Sequence, residues 1–416
     1  MVPRSWKMKR LKYIADLNMG QSPPSQEYNS DQIGTPFLQG NAEFGPHHPT
    51  PKIYCPTAKK HANPGDILLS VRAPVGAINI ADQEYGIGRG LCAVRPQMNQ
   101  LERRYVKYLL EVVRTELYVV ATGSTYDAVT VDEISNLICV VPPFSEQTQI
   151  ANFLDRKTER IDELIRIKER QIQLLQEQRT ALINQTVTKG LDPNVEMKPS
   201  GVEWIGEIPA HWEIKKLKYI AEILPSNVDK HIYPDEIQVR LCNYTDVYYN
   251  DYITVDTVLK KGSCKESEFA KFVLRKGDVI ITKDSETPDD IGVPTYVKDD
   301  LDNVVCGYHL TMIRPLACRG EYIFRFIQSD RTRRYFEVNS NGITRYGLGK
   351  ASIENLLLPI PPDSEQRQIA NFLDRKTQQI DELIAAEQRK IELLKEYRQS
   401  LISEAVTGKI DVRNEV

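Results

Sequence analysis

The sequence predicts an α+β protein built twice over. Two mixed α/β modules are each closed by a long helix, and the two helices pair as an antiparallel coiled coil in a pseudo-twofold layout. Three observations predict it. First, "SEQTQIANFLDRKT" (145–158) returns 219 residues later as "SEQRQIANFLDRKT" (364–377), and thirteen of fourteen matching letters rule out chance composition. Second, "PRSWKMKRLKYIA" (3–15) returns as "PAHWEIKKLKYIA" (209–221), keeping Pro, Trp, Lys, Leu, Lys, Tyr, Ile and Ala. Third, the text between these shared ends differs. "GDILLSVRAPVGAINI" (65–80) and "GDVIITKDSETPDDIG" (277–292) keep Gly-Asp and an apolar run, then part ways. A frame kept while its contents change suits two modules doing one kind of job on two different objects.

The first module is expected at 1–143 and the second at 211–361. Both are rich in short β-type runs such as "DILLSV", "GAINI", "LCAVR", "DVIITK" and "NVVCGYHLTMIR", punctuated by Gly, Pro and Asn-Asp. A helical stretch follows in each, "LERRYVKYLLEVVRTELYVVA" and "EYIFRFIQSDRTRRYFEV". Residues 191–210 have the Pro and Gly content of a linker.

The closing helices are expected at 144–190 and 362–410. A Pro-Pro ends the preceding strand in each copy, and Ser145 and Ser364 stand where N-caps belong, each followed by Glu. Gly190 and Gly408 supply the stops. Apolar residues recur at heptad-like spacing. They are Leu154, Ile161, Leu164/Ile165, Ile172, Leu175 and Leu182, then Leu373, Ile380, Leu383/Ile384, Ile391, Leu394 and Leu401; Lys168 interrupts the first series. A stripe of this kind needs a partner. Pairing between chains would serve, but pairing within the chain is the more economical expectation.

Composition narrows the function. With 41% hydrophobic and 27% charged residues, the 416-residue chain is globular and long enough for two or more domains. There is no apolar run of the ~18–20 residues a bilayer needs, so no membrane is expected. The first residues lack the apolar core of a signal peptide. Seven irregularly spaced cysteines without a CxxC pair point to reduced thiols in the cytoplasm rather than disulfides or zinc. A net charge of −3 gives no overall basic character, so any nucleic-acid surface must be a local one.

Catalytic motifs fail in turn. "GITRYGLGKAS" (342–352) has Thr344 where a phosphate loop needs Gly, and Ala351 where it needs Ser or Thr. "GIGRG" (86–90) has the wrong spacing for a dinucleotide fingerprint. "EMK" (196–198) lacks a partner Asp, and His47-His48 suits a polar loop better than a metal pair. Neither a catalytic residue nor a metal site is expected.

Over nearly its whole length the chain resembles the specificity subunit of type I restriction–modification systems. The residues that carry the likeness are the Pro-Pro-x-Ser-Glu-Gln…Gln-Ile-Ala-Asn-Phe-Leu-Asp at 142–155 and 361–374, the long helices behind them, and the Pro-x-x-Trp openings. The resemblance implies two target recognition domains, each reading one half of a bipartite double-stranded DNA sequence. It implies that the helices space the readers and dock modification (methyltransferase) subunits, two in number, with restriction (translocase/nuclease) subunits joining them. It implies that this chain binds no cofactor, while S-adenosylmethionine, ATP and magnesium serve the partners. Within that frame, base and phosphate contacts favour Arg, Lys, Asn, Gln and small donors. The candidates are Gln39, Asn41, Arg72, Arg89 and the loop Gly123, Ser124, Thr125, Tyr126 in the first module. In the second they are Asn243, Tyr244, Lys283, Ser285, Thr344, Arg345, Tyr346 and Lys350. The alternative is a coiled-coil interaction scaffold with no DNA role.

Overall fold

The repeated openings and closings meet in space, once in each of two units. The computed structural model describes residues 5–122 and 128–413. One unit comprises Met1–Glu169 with Arg389–Val416, the other Arg170–Gln388. In unit 1 the strand Lys7–Arg10 pairs antiparallel with Ile138–Val141; in unit 2, Glu213–Lys216 pairs the same way with Leu357–Ile360. Beside each pair, the Trp of the opening donates its indole N–H to the Glu of "SEQ". Trp6 Nε1 reaches Glu146 Oε2 at 2.9 Å, and Trp212 Nε1 reaches Glu365 Oε2 at 2.9 Å. The Gln that follows is buried and satisfied by backbone, as a buried amide must be. Gln147 donates to the carbonyls of Gln100 and Pro142 and accepts from the Glu102 N–H. Gln366 donates to Pro361 and accepts from the Arg319 N–H. The two copied phrases are thus the two halves of one joint.

Each unit has two main sheets. In unit 1 the strands Ala15–Met19, Leu91–Pro96, Ile67–Ser70 and Ile78–Ile80 lie in that order, all antiparallel. A second sheet runs Ile53–Cys55, Thr35–Leu38, Tyr85–Ile87, His61–Ala62, with one parallel pair at its centre. Unit 2 repeats the plan with Ala221–Pro225, Leu310–Pro315, Val279–Thr282, Pro294–Val297 and Tyr252–Ile253. Its second sheet is Lys260–Cys264, Ile237–Cys242 and Val304–Cys306, again with one parallel pair. The inner strands "ILLS" and "VIIT" are buried throughout, which is why they read as continuous apolar runs rather than alternating ones. One ion pair is kept beneath both sheets: Arg95 with the buried Asp66, and Arg314 with the buried Asp278.

The long helices run Phe144–Lys189 and Asp363–Val406, 46 and 44 residues. Each unit joins the first part of one to the last part of the other, as antiparallel pairing within the chain requires. In unit 1, Arg398 bonds Asp162 at 3.0 Å; in unit 2, Arg179 meets Asp381 at 3.0 Å. Apolar packing accompanies the polar bonds: in unit 2, Ile183, Val187, Ile369 and Leu373 share one core cluster with Trp212. Two details depart from expectation. The helices start two residues earlier than caps at Ser145 and Ser364 imply, with the Pro143 and Pro362 carbonyls accepting the N–H groups of Gln147 and Gln366. Ser145 and Ser364 therefore sit in the first turn rather than at the cap. Where the stripe offered two adjacent apolar residues, Leu164 and Leu383 face solvent while Ile165 is buried and Ile384 half-buried. Gly190 closes the first helix at φ +74°, a conformation glycine adopts without a Cβ clash.

The stretch between the repeats is folded. Met197–Pro199 and Glu207–Pro209 form a hairpin, and Ile205 and Ile208 enter the unit 2 core.

Candidate nucleic-acid interface

Strand ends converge at one edge of unit 1. The Gly88 N–H donates to the Leu38 carbonyl at 2.8 Å, Val71 N–H to Gly90 at 2.9 Å, and Gly20 N–H to Leu91 at 2.9 Å. These backbone bonds pull the residues just past the strands, Gln39, Arg72 and Arg89, around one open cleft of about 480 Å³. Asn41, Ser22 and Tyr28 are also part of the lining. Two glycines make the approach possible: a Cβ on Gly90 would lie 2.5 Å from the Gln39 carbonyl oxygen, and one on Gly88 would lie 3.1 Å from Gln39 Cα. The "GIGRG" that fails as a nucleotide motif thus has a packing reason. The cleft walls carry two guanidiniums, a carboxamide on each of Gln39 and Asn41, and no carboxylate, in a chain whose net charge is −3. That is the local basic face that composition could not reveal. Four of this module's eight candidates, Gln39, Asn41, Arg72 and Arg89, meet here. Gly123, Ser124, Thr125 and Tyr126 lie outside the described residues. Ala128, just after them, bridges Arg72, and the Val129 N–H donates to the Val71 carbonyl at 2.9 Å.

Unit 2 repeats this frame bond for bond. The Gly307 N–H donates to Cys242 at 2.8 Å, Lys283 N–H to His309 at 3.0 Å, Ser226 N–H to Leu310 at 2.9 Å, and Leu348 N–H to Lys283 at 2.8 Å. Matching the bonds makes Asn243 the counterpart of Gln39, Asp284 of Arg72, Tyr308 of Arg89 and His309 of Gly90.

The candidates of unit 2 divide accordingly. Tyr244 stacks on Tyr248, with ring centroids 5.7 Å apart, and burial raises its phenol pKa. Tyr248 donates to Asp290 at 2.7 Å, a bond that pushes its pKa up to about 12. Ser285 is buried and pairs in the ladder with Tyr346. Arg345 is exposed, with its guanidinium 3.4 Å from His309 Nδ1. Thr344 is exposed beside it. Three candidates have local duties. The Asn243 amide folds back on the Leu241 carbonyl at 3.0 Å. Lys283 donates inward to the Ser226 carbonyl at 2.9 Å and lies under the Tyr308 ring. Lys350 pairs with Glu354 on its own short helix. Sequence reasoning missed Ser22 and Tyr28 in unit 1, and Asp284, Tyr308 and His309 in unit 2. A signal existed for two of these: laying "GIGRGL" over "VCGYHL" at the offset of 219 sets Tyr308 on Arg89 and His309 on Gly90.

Other chemistry is quiet. Burial pushes the Cys92 and Cys139 thiols up to about 12, which keeps them protonated. Among the described residues there is no metal-binding group of His, Cys, Asp and Glu, and no helix long and apolar enough to cross a membrane.

Two like units whose matched edges carry unlike side chains define a two-part recognition protein. The family model for the type I restriction modification DNA specificity domain matches twice, at residues 3–176 and 209–393. The chain therefore belongs to the family of type I restriction–modification specificity subunits. It is 35% identical over 190 residues to the MjaX specificity subunit of Methanocaldococcus jannaschii, a match covering 45% of this chain and 44% of that one, less than half its length. The MjaIX specificity subunit of the same organism matches at 22% over 99% of this chain and 95% of its own. Among solved structures, a chain from work on complex assembly of the type I R-M system has a TM-score of 0.74 at 17% identity, covering 99% of this chain and 100% of that one. The HsdS subunit from Thermoanaerobacter tengcongensis has a TM-score of 0.51 at 18%, covering 98% of each. These likenesses show the fold. A scaffold without DNA recognition is not favoured, because the specificity model spans both modules.

Proposed function

We propose that the cleft of unit 1 and the matched edge of unit 2 each read one half of a bipartite double-stranded DNA target, as the sequence-specificity subunit of a cytoplasmic complex. The chain itself is non-catalytic. The readers are the modules at 1–143 and 211–361, and the helices at 144–190 and 362–410 dock two modification subunits, with restriction subunits joining the assembly. S-adenosylmethionine, ATP and magnesium belong to those partners. The carrying observation is the cleft of unit 1: Arg72, Arg89, Gln39 and Asn41 line one open site without a carboxylate. Guanidiniums and carboxamides are the side chains that bond base edges in the major groove, and guanidiniums also neutralise phosphates. In unit 2 the exposed Arg345 and Thr344, the half-buried Tyr346 and the Tyr244 ring occupy the corresponding edge.

The test is selection from randomised duplexes by the chain assembled with its modification subunits. A two-part motif is expected, with affinity falling as salt rises because phosphate contacts release counterions. The double variant Arg72→Ala, Arg89→Ala should erase base preference in one half of the motif and leave the other intact. An assembled complex that prefers no duplex over random DNA would refute the reading.

A further inference from the structure

One position on the shared frame carries opposite chemistry in the two units. Unit 1 has Arg72, bridged to Ala128; unit 2 has Asp284, opposite Gly347 in the same bond pattern. Gly347 brings no side chain over the carboxylate. Asp284 Oδ2 accepts from His309 Nδ1 at 2.6 Å, and both side chains are about a quarter to a third exposed, at 24% and 31%. That bond holds the carboxylate beside the imidazole. A carboxylate can only accept, whereas the guanidinium of unit 1 can only donate.

The His309 backbone adds an independent observation. Its φ is +69°, in the left-handed region that a side-chain-bearing residue adopts at a cost. Its unit 1 counterpart, Gly90, is not among the positive-φ glycines, so the left-handed conformation belongs to unit 2 alone. Keeping an imidazole on a strained backbone, where a residue without a side chain would relieve the strain, points to a use for the imidazole.

We propose that Asp284 and His309 are the specificity-determining pair of unit 2, the carboxylate accepting from the one groove-facing hydrogen of an exocyclic amine, cytosine N4 or adenine N6, and the imidazole holding that carboxylate in place. Unit 1 presents donors at the equivalent place and reads the acceptor edge of guanine. This rests on the reading that the unit 1 cleft and the matched edge of unit 2 bind DNA. The two half-sites then differ in the polarity of the edge read at one matched position, with no change of backbone hydrogen bonding.

The experiment uses the chain assembled with its modification subunits. Randomised duplexes are selected by the unsubstituted chain and by the variants Asp284→Asn and His309→Gly. Binding is also measured to the selected duplex with its critical base replaced by an analogue lacking the exocyclic amine, 2-pyrimidinone for cytosine or purine for adenine. The unsubstituted complex should discriminate against the analogue by about 10–100-fold. Both variants should lose that discrimination at one base pair of one half-site and keep the other half-site. His309→Gly should melt no lower than the unsubstituted chain, because it relieves the strain, so lost recognition cannot be ascribed to unfolding. Variants that select the same motif with the same discrimination would overturn the proposal while leaving DNA reading intact. So would a uniform drop in affinity with unchanged preference. An unsubstituted complex that selects no motif would overturn both.

Discussion

The cleft of unit 1 and its counterpart in unit 2 share four matched backbone bonds and almost no side chains. Gln39 becomes Asn243, Arg72 becomes Asp284, Arg89 becomes Tyr308, and Gly90 becomes His309. The bonds run between carbonyls and N–H groups at strand ends, so they are indifferent to side-chain identity. What they require is close approach, met in unit 1 by glycines at 88 and 90 and in unit 2 by Gly307, where a Cβ would lie 2.7 Å from the Cys242 carbonyl oxygen. A frame of this kind can exchange its readers without refolding. The joint is the opposite case: Trp, Glu and Gln recur unchanged because their side chains make the bonds.

The largest test of this contrast lies at the joint. Trp212 is fully buried while Trp6 is half-buried, though both donate to the same kind of Glu. Trp212→Ala should destabilise unit 2 by about 3–5 kcal/mol through lost burial and a cavity. Trp6→Ala should cost unit 1 about 1 kcal/mol, for the smaller area it hides. Hydrogen exchange at Leu357–Ile360 and at Ile138–Val141 would read the two units separately. Equal loss of protection in both would mean that the joint is set by the Trp–Glu bond and not by burial.

A second contrast runs through the kept ion pair. Asp66 and Asp278 are equally buried, but Arg95 is 42% exposed and Arg314 only 13%. Asp278→Ala strands a guanidinium away from water and should cost about 3 kcal/mol. Asp66→Ala lets Arg95 turn to solvent and should cost about 1–2 kcal/mol, chiefly for the lost hydrogen bonds. Thermal unfolding of the two variants side by side checks the order, and a reversed order would break the comparison.

How much of this could be read from the letters depended on which interactions were side-chain matters. The helices were legible because their apolar period is long, with Lys168 its one interruption. Their starts were missed by two residues because the cap is a proline carbonyl, which no side-chain rule reports. Leu164 and Ile165 are equally apolar, so only packing could choose between them. The unit 1 cleft was legible because its readers are Arg, Gln and Asn placed just past apolar runs. The matched edge of unit 2 was mostly hidden. Lys283 looks like a phosphate ligand until its ammonium is seen turned inward on the Ser226 carbonyl. Asp284 looks like an ordinary turn acid until the bond pattern sets it on Arg72. His309 shows its strain only in φ.

The smallest contrast lies between the helices. Arg398 bonds the exposed Asp162 and also Glu111, whose side chain is 9% exposed. Arg179 bonds Asp251 and Asp381, at 41% and 49%. Removing Arg179 leaves two carboxylates that water can solvate, so Arg179→Ala should cost below about 0.5 kcal/mol, and less again at high salt. Removing Arg398 leaves Glu111 poorly hydrated with its nearest cation gone, so Arg398→Ala should cost about 1–2 kcal/mol and change little with salt. Urea unfolding of both variants at low and high ionic strength separates the cases. If both show the same cost and the same salt response, exposure of the partner carboxylate does not govern these bridges, and the two ends of the helix pair are energetically alike.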